Sequence, residues 1–340
     1  MIQQHPDYKK EAARLAETKN YMEIILAQSE SDLKSSQHNI RSAMASLEYI
    51  DSSDSYLNIL TNSRFFEMAR NQKEALEAVM NKPYFARIHF QRESEPEELL
   101  YIGKTSLFHR DTHETIIVDW RSPVSNVYYD GRLGDLTYMV RDEEYAGHLF
   151  AKRQYKIDGG ELLDFRDVDL TTNDELLQEA LEGKADVRLT EIVSTIQKEQ
   201  NEIIRAHLRQ PILVQGAAGS GKTTIALHRI SYFLYTMGEH FKPEQLMILA
   251  PNNLFIEYIG DVLPELGVDR ICQTTYADYV QHAIGVKLKL QNPNEQLETI
   301  VENNSGSIPR FNISQIKGSM LYKKIMDRYI KIHEQKIASL

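Results

Sequence analysis

The first 80 residues have a helical pattern of apolar positions. Between Asp7 and Met80 the sequence contains no Pro or Gly, and one break, SSDS at 52–55, divides it. Apolar residues recur at alternating four- and three-residue steps, which is typical of helices that pack along a seam. The first predicted helix has one row of Ala12, Lys19, Leu26, Leu33, Ile40 and Leu47 and another of Tyr8, Leu15, Met22, Ser29, Ser36, Ala43 and Ile50. The second predicted helix carries Phe65, Met68, Gln72, Ala75 and Val79.

These two helices predict an antiparallel hairpin. The first helix is the longer one, so it must extend beyond its partner and contact another part of the protein near its N-terminus. The tip of the hairpin carries Glu48, Asp51 and Asp54 without a compensating basic residue. This acidic tip is either a solvated turn or a functional end of the projection.

From Tyr84 the apolar pattern changes to the alternation that is typical of strands. Pro83 ends the preceding helix, and strands are predicted from Tyr84 and at 99–103, 115–120, 126–130 and 136–140. A hairpin is predicted from FAKRQYKI and ELLDF, joined by Asp158, Gly159 and Gly160, because glycine readily adopts the positive φ of such a turn. The middle of the chain is therefore predicted to be rich in strands.

After Leu170 helices alternate with short apolar strands. One face of a predicted helix that ends near Leu208 carries Leu189, Ile192, Val193, Ile196, Ile203 and Ile204. The strand PILVQ at 211–215, the helix KTTIALHRISYFLYTM and the strand LMILA at 246–250 follow. This order predicts a right-handed crossover within a parallel sheet. The last residues are again helical in pattern, so we expect the sequence to continue in a longer protein.

Composition and charge narrow the class of protein. With 340 residues, 42% hydrophobic and 26% charged, the chain has the composition of a soluble globular protein of more than one part. The net charge of -10 argues against a surface that coats nucleic acid, although a local basic groove stays open as an alternative. The single cysteine, the lack of a signal peptide and the lack of a long apolar run predict a cytoplasmic protein that does not enter a membrane.

A glycine-rich loop carries the strongest chemical signal. The residues that fulfil the phosphate-loop pattern GxxxxGK[ST] are Gly216, Ala217, Ala218, Gly219, Ser220, Gly221, Lys222 and Thr223. The loop follows a predicted strand and begins a predicted helix, so backbone N–H groups and the helix dipole would favour phosphate. Lys222 would contact the β- and γ-phosphates and Thr223 would bind Mg²⁺, which makes both catalytic candidates, and Thr224 extends the candidate nucleotide site.

Hydrolysis requires groups that this sequence does not supply in the expected place. A second strand should end in an acidic pair, and an arginine should neutralise the transition state. Downstream of Thr224, Glu257, Asp261 and Glu265 lie in a helical stretch and Asp269 lies in a turn. We therefore expect that the catalytic carboxylates lie outside this chain, which alone would bind nucleotide weakly and not hydrolyse it.

Three other candidates are weaker. His109 and His113 have helical ligand spacing, but they lie in a loop-like stretch without a third metal ligand. The triplet DWR at 119–121 is either a binding site or, as we favour, a packed aromatic residue with a structural ion pair. Cys272 has no activating partner and is predicted to be a small buried residue.

Several stretches together resemble the HelD family, the superfamily 1 (UvrD/Rep-like) helicase-like ATPases that bind bacterial RNA polymerase. They are the helical hairpin, DWRSPVSNVYYDG, TEIVSTIQKEQNEIIRA before QGAAGSGKTT, and ILAPNNLFIEYIGDVLPELG. The resemblance covers essentially the whole chain but only about the first half of the family's usual length. It implies an α/β protein in three parts: a helical hairpin arm at 1–82, a β-rich module at 83–170, and at 171–340 a partial P-loop domain. That last part would be RecA-like, corresponding to superfamily 1 subdomain 1A, with the start of an insertion.

The resemblance also implies roles for particular residues. Gln200 falls where superfamily 1 enzymes carry the glutamine that reads adenine, and residues 250–253 match a motif that lies beside single-stranded DNA in true helicases. The usual basic and aromatic DNA-gripping residues are missing, which argues against strand binding. In the family the arm enters the secondary channel of the polymerase, and Asp51 and Asp54 would bring the acidic tip close to the catalytic Mg²⁺.

Three functions are compatible with these features. The first is an ATP-dependent factor that recycles RNA polymerase by releasing nucleic acid from its core. The second is a superfamily 1 DNA helicase or translocase, and the third is a module that only docks. The acidic balance and the missing DNA-gripping residues favour the first, with ATP and Mg²⁺ as cofactors and DNA as a further possible partner.

Overall fold

The computed structural model describes residues 2–47, 53–140, 143–168, 193–194, 196–238, 240–287 and 316–338. The chain forms two compact units, Met1–Tyr276 and Ala277–Leu340. The first unit contains a helical hairpin, a seven-stranded sheet and the glycine loop. The architecture is thus of the mixed α/β class that the sequence predicted.

The helical hairpin is confirmed. Helix α1 spans Tyr8–Leu47 and helix α2 spans Ser53–Val79. The second row predicted on α1 forms its buried seam, with Leu15, Met22, Ser29, Ser36 and Ala43 all buried. Residues of the other row, such as Lys19 and Leu26, are half-buried.

The seam changes character along the hairpin, which we call the arm. At its base, large apolar side chains of α1 (Met22 and Ile25) and α2 (Leu76 and Val79) pack against Leu107 and Ile117 at the edge of the sheet. Farther out, the buried positions are small, namely Ser29, Ser36, Ala43 and Ala69. Because small side chains let helix axes approach closely, the outer arm is slender.

The middle of the chain forms one seven-stranded sheet. Its strands are β1 Ala86–Arg92, β2 Glu97–Gly103, β3 Leu107–Phe108, β4 Thr115–Asp119, β5 Gly134–Val140, β6 Glu143–Asp158 and β7 Glu161–Asp167. The order is β3-β4-β2-β1-β6-β5, and β7 pairs with β6. Among the described strands of this sheet, only β2 and β4 pair in parallel. The strands predicted at 99–103, 115–120 and 136–140 are confirmed, and so is the β6–β7 hairpin, whose Gly159 and Gly160 have φ of 56° and 78°.

Both faces of this sheet are covered. On one face, Tyr84, Tyr101 and Tyr155 pack with Leu15 of α1. On the other face, a larger cluster around Ile88, Phe90 and Ile102 extends to the helices that follow the sheet. The sheet is therefore the common support of the arm and of the part of the chain that carries the glycine loop.

A buried carboxylate fixes the base of the arm to the sheet. Glu11 is fully buried and accepts hydrogen bonds from Arg87, from Arg153 at 2.9 Å, from Tyr101 at 3.2 Å and from Tyr155 at 2.7 Å. Because Arg87 lies opposite both Tyr101 and Arg153 in the strand register, these donors converge on one point. The N-terminal extension of α1 thus has the second partner that its length predicted.

One strand predicted in the middle of the chain is wrong. Residues Asn126–Asp130 form a short helix, α3, in which Val127, Tyr128 and Tyr129 are all buried. A short apolar run does not distinguish a strand from a buried helical turn. Here the preceding turn decides, because the Ser125 hydroxyl donates to Asp119 O at 2.7 Å and bends the chain away from β4.

The rest of the chain alternates helices and short strands. The elements are α4 Lys198–Arg205, α5 Lys222–Met237, β8 Met247–Ala250, α6 Asn253–Val262, β9 Cys272–Thr275, α7 Tyr276–Ile284 and α8 Met320–Ala338. β8 pairs with β9 in parallel, and a cluster of Leu227, Ile259, Leu263, Leu266, Val268 and Ile271 packs α5 against α6 and the turn that follows it. The predicted strand at 246–250 and the predicted C-terminal helix are confirmed.

The predicted strand at 211–215 is not formed. This segment has no ladder partner among the described residues, and Leu213 is 93% exposed. The parallel crossover therefore joins β8 to β9 through α6 and does not include 211–215. An apolar run becomes a strand only when another strand supplies hydrogen bonds, and the sequence of the run carries no information about that neighbour.

The helix before the loop is shorter than predicted. It begins at Lys198 because Gln197 has extended backbone, whose N–H donates to the Gln200 side chain in the first turn, and it ends at Arg205. Of the predicted apolar face, Val193, Ile196 and Ile204 are buried, whereas Leu189 and Ile192 lie outside the described residues.

Candidate nucleotide site

The glycine loop turns sharply into the start of α5. Gly219 and Gly221 have φ of 81° and 80°, in the left-handed region that favours glycine, and Gly221 is the residue just before the helix. A Cβ added at Gly216 would lie 2.7 Å from the Ser220 hydroxyl oxygen. The first turn of α5 leaves backbone N–H groups without helical partners at the loop, as a phosphate site requires.

Lys222 and Thr223 lie where the phosphate-loop pattern places them. Lys222 Nζ donates to the carbonyls of Gly216 at 2.9 Å and Ala217 at 2.6 Å, so its ammonium lies inside the loop. Thr223 and Thr224 follow in the first turn of α5. A phosphate bound in the loop would compete with these carbonyls for the ammonium group.

Gln200 lies beside the loop. It belongs to the first turn of α4, where its Oε1 accepts a hydrogen bond from the backbone N–H of Gln197 at 3.2 Å. Its Nε2 would lie 3.3 Å from a Cβ placed on Gly221. The structure thus brings Gln200 together with the loop residues, across 20 positions of sequence.

Two arginines that sequence reasoning missed hold α4 in place. Arg229 of α5 donates to the last carbonyls of α4, and Arg205 donates to carbonyls of the turn after β4. Their acceptors are backbone groups, so no pattern of opposite charges in the sequence could have indicated them.

The DWR triplet is a packed aromatic residue with an ion pair, as favoured. Asp119 is buried and accepts two hydrogen bonds from the Arg121 guanidinium, at 2.8 and 2.6 Å. Arg121 also donates to the Ser231 hydroxyl of α5 at 3.1 Å. Trp120 is buried edge-on against His228 of α5, with ring centroids 5.6 Å apart. The triplet therefore joins the sheet to the helix that begins at the phosphate loop.

His228 is held neutral inside this contact. It is fully buried, and one ring nitrogen lies 2.8 Å from Thr224 O while Nε2 has no hydrogen-bond partner among the described residues. Burial lowers the pKa of His228 from 6.5 to about 4. Protonation of His228, which lies one helical turn from Thr224, is thus disfavoured.

Other candidates do not form sites in the described part of the chain. No group of three His, Cys, Asp or Glu side chains there could hold a metal ion. His109 stacks on Tyr21, with ring centroids 5.1 Å apart. The prediction for Cys272 is wrong: its side chain is exposed at the start of β9, where no described residue covers it. Asp54 is exposed in the first turn of α2, and Asp51 lies outside the described residues.

Comparison with protein families shows that this is a protein of the helicase type. Residues 196–253, which contain α4, the loop, α5 and β8, match the UvrD/REP helicase N-terminal domain. Residues 8–182, more than half of the chain, match the N-terminal domain of DNA helicase IV HelD, and the chain belongs to that family. No curated protein matches it. None of the helices in the described ranges is long and apolar enough to span a membrane.

Proposed function

We propose that this chain is the N-terminal part of an ATP-dependent factor that binds the core of bacterial RNA polymerase in the cytoplasm. The arm at 1–82 would enter the secondary channel and help to release nucleic acid. The β-rich module at 83–170 would support it, and the partial P-loop domain at 171–340 would bind ATP. Family membership supports this proposal in general terms, because HelD proteins associate with RNA polymerase.

The structure of the arm is the main support for this proposal. Its outer seam consists of small residues, so the projection is narrow, and its base is fixed to the sheet through the buried Glu11. A slender, firmly mounted helical pair suits entry into a confined channel better than it suits the sliding contacts of a DNA translocase. In this proposal Asp51 and Asp54 bring carboxylates toward a metal site at the end of the channel.

The loop residues fit ATP with Mg²⁺. The left-handed Gly219 and Gly221 open the backbone toward a phosphate, and the start of α5 supplies N–H donors. Lys222 would hold the β- and γ-phosphates, Thr223 would bind the Mg²⁺ that neutralises phosphate charge, and Gln200 would read the adenine edge. The loop residues 216–221 and Thr224 would complete the cradle.

We expect nucleotide binding without turnover from this chain alone. Neither of the two described strands in this part ends on a carboxylate, since Ala250 of β8 is followed by Pro251 and Thr275 of β9 by Tyr276. Mg²⁺-dependent ATP binding should therefore be measurable by calorimetry and should be lost in Lys222→Ala. Steady-state hydrolysis that Lys222→Ala abolishes would show that the catalytic groups are present after all.

Two assays on the longer protein separate the candidate functions. Co-purification with core polymerase and displacement of its nucleic acid would support the recycling factor. ATP-driven strand unwinding without polymerase binding would instead support a superfamily 1 helicase, which the match to the UvrD/REP domain keeps as the second candidate.

The acidic tip can be tested within the first assay. The double variant Asp51→Ala/Asp54→Ala should still bind polymerase through the rest of the arm but displace nucleic acid less well. A charge-matched control removes two exposed carboxylates elsewhere on the arm, Glu23→Ala/Glu67→Ala. Equal displacement by both double variants would refute a role for the tip.

A further inference from the structure

Helix α4 is too short to fix its own position. It has eight residues, about two turns, and isolated helices of that length are unstable in water. Its N-terminal turn carries Gln200, so the place of this side chain relative to the loop depends on contacts that hold the rest of α4. Two arginines supply several of those contacts at the other end of the helix.

Arg229 caps the C-terminus of α4. Its guanidinium donates to four backbone carbonyls: Ile203 O at 2.9 Å, Ile204 O at 3.0 Å, Ala206 O at 2.8 Å and His207 O at 3.1 Å. The last carbonyls of a helix lack partners within it, and a cation is favoured there by the helix dipole. Because Arg229 belongs to α5, this cap ties α4 to the helix that begins at the phosphate loop.

Arg205 ties the same end of α4 to the sheet. It donates to Trp120 O at 2.5 Å, Arg121 O at 3.3 Å and Ser122 O at 3.2 Å, and its guanidinium lies 5.1 Å from the centre of the Tyr232 ring. None of its hydrogen-bond acceptors in the described part of the chain is a carboxylate. Arg205 is half-buried, and because its forked guanidinium bonds to neutral acceptors, these contacts depend on the geometry of the turn.

Asn201 links α4 to α3 and to Arg205. Its Nδ2 donates to Asn126 of α3 at 2.6 Å, and its Oδ1 accepts from Arg205 Nε at 2.9 Å. It is buried and directly follows Gln200 in sequence. The helix is therefore fixed against α5 and against the turn after β4, and a rotation about its C-terminal end would displace Gln200 from the loop.

We infer that Arg205 and Arg229 are positioning residues for nucleobase recognition, holding Gln200 at the distance from the phosphate loop at which it reads adenine. The inference rests on the proposed nucleotide function. It separates two parts of the binding energy: the loop contributes phosphate affinity, and the arginine-held helix contributes base preference. The turn at 120–122 belongs to the HelD-type N-terminal domain, so that domain supplies part of the support for the base site.

Three ligands test this separation on the whole chain: ATP, GTP and inorganic tripolyphosphate, each with Mg²⁺. The loop alone should bind tripolyphosphate. Arg205→Lys and Arg229→Lys keep the charge but lose the forked donor geometry, so they should reduce the preference for ATP over GTP by about three- to tenfold, the loss of one hydrogen bond. Tripolyphosphate affinity should change by less than about twofold in both variants, because sites without shared partners respond independently to substitution.

Two reference variants remove either the base contact or the phosphate contact directly. Gln200→Ala should lose the same base preference directly, and Lys222→Ala should weaken all three ligands together. If the arginines act through Gln200, the double variant Gln200→Ala/Arg229→Lys should lose no more preference than Gln200→Ala alone. Arg209→Lys, at an exposed position of the same segment, controls for a general effect of the exchange, and thermal unfolding checks each fold.

The outcomes are distinguishable. A parallel loss of ATP and tripolyphosphate affinity in the arginine variants would overturn the inference, because it would place the arginines in the phosphate loop's own support. Unchanged base preference in a folded variant would also overturn it while leaving the proposed nucleotide function intact. A wild-type chain that binds none of the three ligands would overturn both.

Discussion

At the scale of single residues, Glu11 attaches the base of the arm to the sheet. It is fully buried between Arg87 and Arg153, and both of its oxygens accept hydrogen bonds. Glu11→Gln keeps the shape of the side chain but leaves the two guanidinium groups without their shared charge. Removing one partner of a buried ion pair costs about 3–5 kcal/mol.

We therefore expect Glu11→Gln to lower the free energy of unfolding by about 3 kcal/mol in urea titrations. The matched control is Glu23→Gln, one residue in the same helix with an exposed side chain, which should change stability by about 0.5 kcal/mol or less. Equal effects of the two substitutions would show that the buried network does not hold the arm.

His228 makes stability depend on pH in a definite direction. Its folded-state pKa of about 4 lies below the ordinary value of 6.5, so the unfolded chain takes up a proton first as the pH falls. The contribution of neutral His228 is fully present above pH 6.5 and is lost as the pH falls toward 4. The total is about 3 kcal/mol, since one pKa unit corresponds to about 1.4 kcal/mol.

The prediction is that the free energy of unfolding falls more steeply with decreasing pH in wild type than in His228→Asn. Between pH 7.5 and pH 4, wild type should lose about 3 kcal/mol more stability than His228→Asn, whatever the absolute stability of the variant. Urea unfolding at a series of pH values measures this directly, with the exposed His240→Asn as the control. Parallel curves for wild type and His228→Asn would contradict a buried neutral imidazole.

At the scale of elements, glycine has opposite effects on stability in a turn and in a helix. Gly159 in the turn between β6 and β7 and Gly260 in α6 illustrate the two cases. Gly159 has φ of 56°, and an added Cβ would meet no atom within 4 Å, so only backbone strain opposes a side chain there. Gly260 lies in α6 with equally open surroundings and no positive φ. The two glycines therefore isolate the effect of backbone conformation.

Gly159→Ala should destabilise the protein by about 1 kcal/mol, because the left-handed region is unfavourable for a residue with a Cβ. Gly260→Ala should stabilise it by about 0.5–1 kcal/mol, because alanine loses less entropy in a helix. Denaturant titrations of both variants measure the two signs. A loss of stability at Gly260 would mean that α6 is not a regular helix.

Elements set by local chemistry were predicted well from the sequence. The small and large residues of the α1 seam, the Asp158–Gly159–Gly160 turn and the glycine loop each determine their structure within a few positions. The segments at 126–130 and 211–215 were predicted wrongly, because their conformation depends on a turn or a strand neighbour elsewhere in the chain. Arg205 and Arg229 were missed for the same reason, since their partners are backbone carbonyls that only the fold brings together.

At the scale of the whole molecule, a continuous set of contacts runs from the glycine loop to the arm. Helix α5 begins at Lys222 and contacts the turn after β4 through Ser231 and His228. That turn continues β4, which lies in the sheet that holds Glu11 of α1. Every contact in this set lies within the first compact unit. Under the proposed function, a shift of α5 on nucleotide binding would reach the arm along this route.

Arg121 is the residue at which this route can be tested. It pairs with the buried Asp119 and donates across to Ser231, so Arg121→Lys keeps a charge beside Asp119 but cannot make both contacts. We expect ATP affinity to stay within about twofold of wild type, because Arg121 is not a loop residue. The effect of ATP on release of polymerase should be largely lost in the longer protein.

Thermodynamic reciprocity sharpens this test. If ATP changes polymerase affinity by some factor, polymerase must change ATP affinity by the same factor, and in Arg121→Lys both factors should move toward one together. Retention of labelled core polymerase with and without ATP, and ATP titration with and without polymerase, measure the two sides. Arg270→Lys, at an exposed surface ion pair with Glu244, is the control and should keep the wild-type factor. A folded Arg121→Lys protein with full reciprocal coupling would show that the nucleotide site and the arm communicate by another route.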